Sequence, residues 1–190
     1  MKKVLVLCPM HSEYKNMYKA LTKRIAPFYY KCVEIGIGKS NAAAQTALEL
    51  QNEYDLVVLV GYAAATHKFQ IGEFVYPSDI RYHDVDVPED LKTDLTEVYH
   101  TDGEDVTILT GDTFVNSSKS KALQSKYGTN IIFDMEAAAV AQICSWTNTP
   151  IYVAKIVSDI PTDPNSNFEE FVKNHTDFSQ FVDFIKVLVK

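Results

Sequence analysis

Short, wholly apolar runs alternate along this chain with stretches whose apolar residues recur every three or four positions. Val4–Leu7, Tyr29–Ile35, Leu56–Val60, Phe74–Tyr76, Val106–Leu109, Ile131–Phe133 and Ile151–Val157 read as strands. Tyr14, Met17, Tyr18, Leu21 and Ile25 form a helical stripe, and Asn41–Leu50 is an alanine-rich helix. Glu136–Trp146 reads as a further helix. Phe168, Phe171 and Val172, then Phe178, Phe181, Val182, Ile185 and Leu188, mark two more near the end. The run LVVLV at 56–60 is apolar on both of its faces, so both must be covered. Such alternation predicts an α/β fold: one domain over residues 1–190, built as a three-layer sandwich. Its central sheet is mixed but largely parallel, with helices on either side. The polar stretch from Pro88 to Asp105 reads as a mobile surface segment.

Composition narrows the function classes. The chain has 190 residues, 46% of them hydrophobic and 23% charged, ordinary globular values. Eighteen basic residues against 25 acidic ones give a net charge of −7, which argues against nucleic acid or anionic lipid as a partner. A small, nearly uncharged ligand remains compatible. Cys8, Cys32 and Cys144 are too few and too scattered for a disulfide framework or a zinc signature, so a reduced, cytoplasmic setting is expected. The opening MKKVLVLCPMHSEY turns polar by His11, too soon for a signal peptide, and no apolar run is long enough to span a bilayer.

Two familiar motifs fail on inspection. Gly38-Lys39-Ser40 resembles the end of a phosphate loop, but Val33 stands where that loop needs glycine. Asn41 likewise replaces the third glycine of a dinucleotide fingerprint. Gly36 and Gly38 then mark either a tight turn or a close approach of backbone to ligand. His83, Asp84 and Asp86 are more simply a loop capping a strand than a metal site, because neighbouring residues on extended chain face opposite ways. Cys144 falls on the apolar face of a helix, and no Gly-x-Ser-x-Gly elbow exists.

Three carboxylates stand apart. Glu13 follows the first strand, Glu136 opens a helix after the Ile131–Phe133 strand, and Asp159 follows the Ile151–Val157 strand. Residues just beyond the carboxyl ends of parallel strands gather along one edge of a sheet, where such folds bind ligands. Together with the flat apolar surfaces of Phe114 and Phe168 they suit acid/base work on a polar aromatic ligand. Taken singly, each acid is as well explained as a helix-cap or first-turn residue.

At FDMEAAAVAQIC (133–144) and KIVSDIPTD (155–163) the sequence resembles the 5′-methylthioadenosine/S-adenosylhomocysteine nucleosidases of the purine nucleoside phosphorylase superfamily. GIGKSNAAA from Gly36, VGYAAA ending at Ala65, IGEFVYPSDIRYHDVDV from Ile71 and GDTFVN from Gly111 fall in the family's order. The resemblance implies a nucleoside phosphorylase-like fold that hydrolyses the N-glycosidic bond of an adenine nucleoside without metal or organic cofactor, as a homodimer. It implies that Asp159 is the acid toward purine N7, steadied by Ser158, and that Glu13 activates water. Glu136 would hold the ribose hydroxyls with Met135 packed on the sugar. Phe114 would stack on the base, the main chain of Val115 would read its edge, and Phe168 would line the purine pocket.

Some positions depart from the family's pattern. Tyr62 stands where a small residue follows the strand glycine, Ala64 and Ala65 replace a glycine pair, and Lys155 replaces an arginine. The resemblance puts Tyr62 and Lys155 around the attacking water, where Tyr62 either supplies a phenol or fills space. The chain is also shorter before the GIGK turn and after Asp86, where relatives build part of the 5′ pocket. Two alternatives accompany hydrolysis. A degenerate site would make a nucleoside-binding or regulatory protein. Phosphorolysis is disfavoured because the loop Cys8–Glu13 has no arginine and carries an acid.

Overall fold

The computed structural model describes all residues except Ile25, Lys92 and Thr93, so the last member of the first helical stripe lies outside the described residues. Among the described residues nine strands form one sheet, flanked by six helices. In chain order these are β1 (Lys3–Cys8), α1 (His11–Lys23), β2 (Tyr29–Glu34), α2 (Lys39–Glu49), β3 (Leu56–Ala65), β4 (Phe74–Val75) and β5 (Pro77–Tyr82). They continue with β6 (Tyr99–His100), β7 (Glu104–Thr110), α3 (Ser117–Tyr127), β8 (Ile131–Asp134), α4 (Ala137–Trp146), β9 (Ile151–Asp159), α5 (Phe168–Asn174) and α6 (Ser179–Leu188).

The main path through the sheet is β2-β1-β3-β8-β7-β5-β6, with β9 lying parallel to β3 and β4 antiparallel to β9. β1 and β2 run parallel to β3, whereas β8, with β7 and β5 parallel to it, runs the other way. The expected mixed, largely parallel sheet is built from two oppositely directed parallel groups, β2-β1-β3-β9 and β8-β7-β5, with the short strands β4 and β6 antiparallel to their neighbours. Among the described residues these two groups pair where Ala64 meets Phe133 and Ala65 meets Ile132. Along the same edge of β3, pairing with β1 stops at Leu59. Residues 60–63 thus face a notch between the carboxyl ends of β1 and β8.

Alternation along β1 shows why its run is wholly apolar. Leu5 and Leu7 pack on the face covered by α2 and α4, while Val4, Val6 and Cys8 pack on the face covered by α1 and α6. Both faces of the central strands are dry, as the composition of β3 requires. Ala137–Ala141 are all buried, and their small side chains let α4 lie close to both the sheet and α2.

The periodicity misses β5, β6 and α3. β5 follows β4 directly, and α3 buries only Ser120 and Leu123, too little for an apolar stripe. The stretch from Pro88 to Asp105 is not all surface loop: Tyr99 is buried, and β6 pairs with β5 through Asp79–His100 and Ile80–Tyr99. No helix of the described residues is long and apolar enough to cross a membrane.

Candidate active site

The notch opens into a cavity of about 120 Å³. Nine of the ten side chains singled out from the sequence line it: Glu13, Tyr62, Phe114, Val115, Met135, Glu136, Ser158, Asp159 and Phe168. The tenth, Lys155, lies behind the wall. The three acids do meet, though not along one parallel edge. Glu13 follows β1 and Asp159 ends β9, while Glu136 arrives from the opposed β8.

Glu13 sits in the first turn of α1 and is only 2% exposed. Its Oε2 accepts the Met10 N–H at 2.7 Å, and its Oε1 accepts the Tyr62 N–H at 2.8 Å. The second bond uses a β3 amide within the notch. The carboxylate fills the space beside Gly61 where any other residue would carry its Cβ. Burial pushes its pKa up to about 7, against the pull of Lys155 and the two backbone donors.

Glu136 occupies the entrance to α4, and its Oε1 accepts the Gly38 N–H at 2.9 Å. Gly38 has φ +93°, a left-handed conformation that suits glycine and opens α2 with its amide toward this carboxylate. The GIGKS turn thus brings its backbone against a carboxylate of the cavity. Burial, then repulsion from Asp134, raises the Glu136 pKa to about 7, with Lys155 and the Gly38 amide opposing.

Asp159 owes its place to a β-bulge. Ala63 pairs with Val157 but Ala64 pairs with Asp159, so Ser158 is an extra residue in β9. On regular strand, adjacent side chains would point to opposite faces; the bulge turns Ser158 and Asp159 both into the cavity. Ser158 Oγ lies 2.6 Å from Asp159 Oδ1 and 3.1 Å from the Ala63 carbonyl oxygen. Burial raises the Asp159 pKa above its ordinary value, against the Ser158 hydrogen bond.

Lys155 is fully buried, with Nζ 3.0 Å from Asp134 Oδ2. Burial alone would lower its pKa, but Asp134, Glu136 and Glu13 together hold it above the ordinary lysine value. It is therefore a fixed cation beneath three carboxylates. Asp134 is the functional residue that the sequence reading missed. It also accepts the Thr110 hydroxyl at 2.7 Å and the Ala137 N–H at 2.9 Å. An aspartate that ends a buried strand three residues before an alanine run carries a cap signal, which the neighbouring Met-Glu pair obscured.

The aromatic wall is open. Phe114 is 75% exposed and meets Phe168 edge-on, ring centroids 6.1 Å apart. Tyr62 contributes to the cavity, yet its phenol is turned away and donates to the His175 carbonyl at 2.6 Å. His83 and Asp84 lie elsewhere. Asp84 receives both the Lys39 ammonium and the Asp112 N–H, which fits a loop cap.

An open α/β sheet whose opposed strands bring acids and aromatics to one notch defines a small-molecule enzyme site, and a family model described as the phosphorylase superfamily matches residues 97–185. A 5′-methylthioadenosine/S-adenosylhomocysteine nucleosidase of Bacillus velezensis is 35% identical over 176 residues, covering 76% of each chain. One of Bacillus pumilus is 33% identical over 165 residues, covering 73% of this chain and 71% of its own. The chain belongs to this nucleosidase family. The fold agrees with the Neisseria meningitidis member solved with methylthio-immucillin-A: TM-score 0.82, 23% identity, covering 98% of this chain and 100% of that one.

Proposed function

We propose that this protein is a purine nucleosidase that hydrolyses an adenine nucleoside of the methylthioadenosine/S-adenosylhomocysteine type. The products are adenine and the corresponding ribose derivative. The observation that carries this reading is the division of labour among the carboxyls of one cavity. Glu13 is buried and fixed by two backbone amides, Asp159 is held by Ser158, and Glu136 lies between Gly38 and Met135.

Breaking the bond between C1′ and N9 leaves positive charge on the sugar and sends the electron pair into the purine. A proton delivered to N7 makes the base a better leaving group. Asp159 suits that task because burial favours its protonated form, and Ser158 engages Oδ1 so that Oδ2 can carry the proton. Glu13 takes a proton from the water that attacks C1′, and a pKa of about 7 poises it between holding and releasing that proton. Glu136 holds the ribose hydroxyls, with Met135 against the sugar. Phe114 and Phe168 flank the base, and the Val115 main chain meets its edge. Lys155 keeps the acids from all becoming neutral, and acts from beneath rather than on substrate. Tyr62 binds through its backbone to Glu13, not through its phenol.

Water is favoured over phosphate as acceptor because a carboxylate occupies the notch and the one buried lysine or arginine among the described residues is already paired with Asp134. Residues 1–190 are read as one cytoplasmic domain acting as a homodimer, for which light scattering is the check. The decisive test is adenine release from methylthioadenosine, S-adenosylhomocysteine and adenosine in phosphate-free buffer. Asp159→Asn is expected to lower kcat by about 100-fold or more. Tight adenine binding without any turnover would replace the enzyme by a nucleoside-binding protein.

A further inference from the structure

Tyr62 joins two parts of the site that no other described residue joins in this way. Its main-chain N–H holds Glu13, and its hydroxyl holds the carbonyl of His175, the residue that closes α5. At the other end of α5, Phe168 is the first helical residue and lines the cavity against Phe114.

α5 needs such a tie. It is seven residues long and buries none of them fully. A helix this short is marginal without tertiary support. Its start is capped by Asn167, whose Oδ1 accepts the Glu170 N–H at 3.1 Å. Its end rests on the Tyr62 ring, which meets Phe171, His175 and Phe178 edge-on, with centroids 5.8, 6.3 and 5.5 Å away. Phe171 and His175 stack on each other at 4.9 Å, so the aromatic contact and the hydrogen bond grip one turn. The phenol also lies in surroundings dry enough to raise its pKa, which leaves it a neutral donor at working pH.

The geometry points to Tyr62 as a positioning residue for base binding: its hydroxyl fixes α5, and through α5 it sets the Phe168 wall of the cavity. The backbone of the same residue sets the water-activating acid, so the two ends of the ligand are registered against a single point of β3. The inference rests on the nucleosidase reading only for the identity of the ligand. A small residue at this position would keep the amide but lose the tie.

Tyr62→Phe isolates the hydroxyl, since the ring and the amide remain. Adenine affinity by calorimetry and the KM for nucleoside are each expected to weaken about fivefold, the effect of one lost hydrogen bond. kcat should stay within about twofold, because Glu13 keeps both of its donors. Amide exchange at Phe171 and His175 should speed up. In a Phe168→Ala background the same substitution should cost no further adenine affinity, as expected if it acts through that ring. Unchanged affinity and exchange in Tyr62→Phe would overturn the proposal, and so would an equal loss with and without Phe168. If the unaltered protein releases adenine from no nucleoside, the nucleosidase reading fails; adenine affinity and α5 exchange still decide the role of Tyr62.

Discussion

The carboxylate of Glu13 stands where Gly61 lacks a side chain. Gly61 is the residue of β3 at which the sheet opens into the notch, and Glu13 reaches it from the first turn of α1. The fit leaves no room for even a methyl group. Gly61→Ala is therefore expected to displace the acid from the Tyr62 amide. A displacement of about an ångström at a reacting group can cost about 100-fold in rate, and kcat should fall by that order. Steady-state kinetics beside a thermal melt will separate this from unfolding.

Lys155 and Asp134 form the only ion pair among the described residues in which both partners are essentially buried. Replacing the lysine leaves Asp134 facing Glu136 and Glu13 without a counter-charge. Lys155→Met should destabilise the fold by about 3 kcal/mol, measured by urea unfolding. Adding Asp134→Asn should return part of that loss, since the amide keeps an oxygen for the Ala137 N–H and adds no charge.

Glu136 gives a pH prediction with a definite sign. Its folded pKa, about 7, lies above its ordinary value of 4.5, so the native protein binds the extra proton between those limits. Its contribution to stability is present below about 4.5 and is lost as pH rises toward 7. Glu136→Gln does not titrate and keeps an oxygen for the Gly38 amide. Relative to the unaltered protein, this variant should gain about 1–3 kcal/mol between pH 4.5 and 7.5 and then level off. Parallel denaturant titrations across that range are the measurement. A constant difference would mean that Glu136 does not carry the shift.

Phe114 is the exposed half of the aromatic wall, and stacking on a base would cover it. Removing such a surface costs about 1–3 kcal/mol per base, so Phe114→Ala should raise KM and adenine Kd by about 10-fold or more. Because the ring touches no reacting atom, kcat should change far less. An equal fall in kcat would place Phe114 in the chemical step.

The strands were legible wherever they are dry on both faces. β1 and β3 read as buried strands, and the acids beyond β1 and β8 and at the end of β9 follow from those strand ends. α3 was not legible from periodicity, because it offers the core only Ser120 and Leu123. Its signals were at its ends: Asn116 caps it by accepting the Lys119 N–H, and Gly128 stops it at φ +83°. Strand direction was equally hidden. A short apolar run such as Ile131–Phe133 reads the same whether its neighbour is parallel or antiparallel, so the opposed run of β8 had no local mark. Tyr62 was visible as an intruder, but only tertiary contact with α5 decides where a phenol on a two-faced strand will turn.

The notch in the β3 edge has a further consequence. At the notch itself the strands on its two sides are joined by two residue pairs and by the ion pair of Lys155 and Asp134, while α4 packs across both groups. At the notch, part of the fastening thus lies against the working parts. In many enzymes a site rides on a scaffold whose strength can be altered elsewhere without touching the chemistry. Here a loosened joint would also spread the acids apart, so this protein has little freedom to trade rigidity against turnover at its centre.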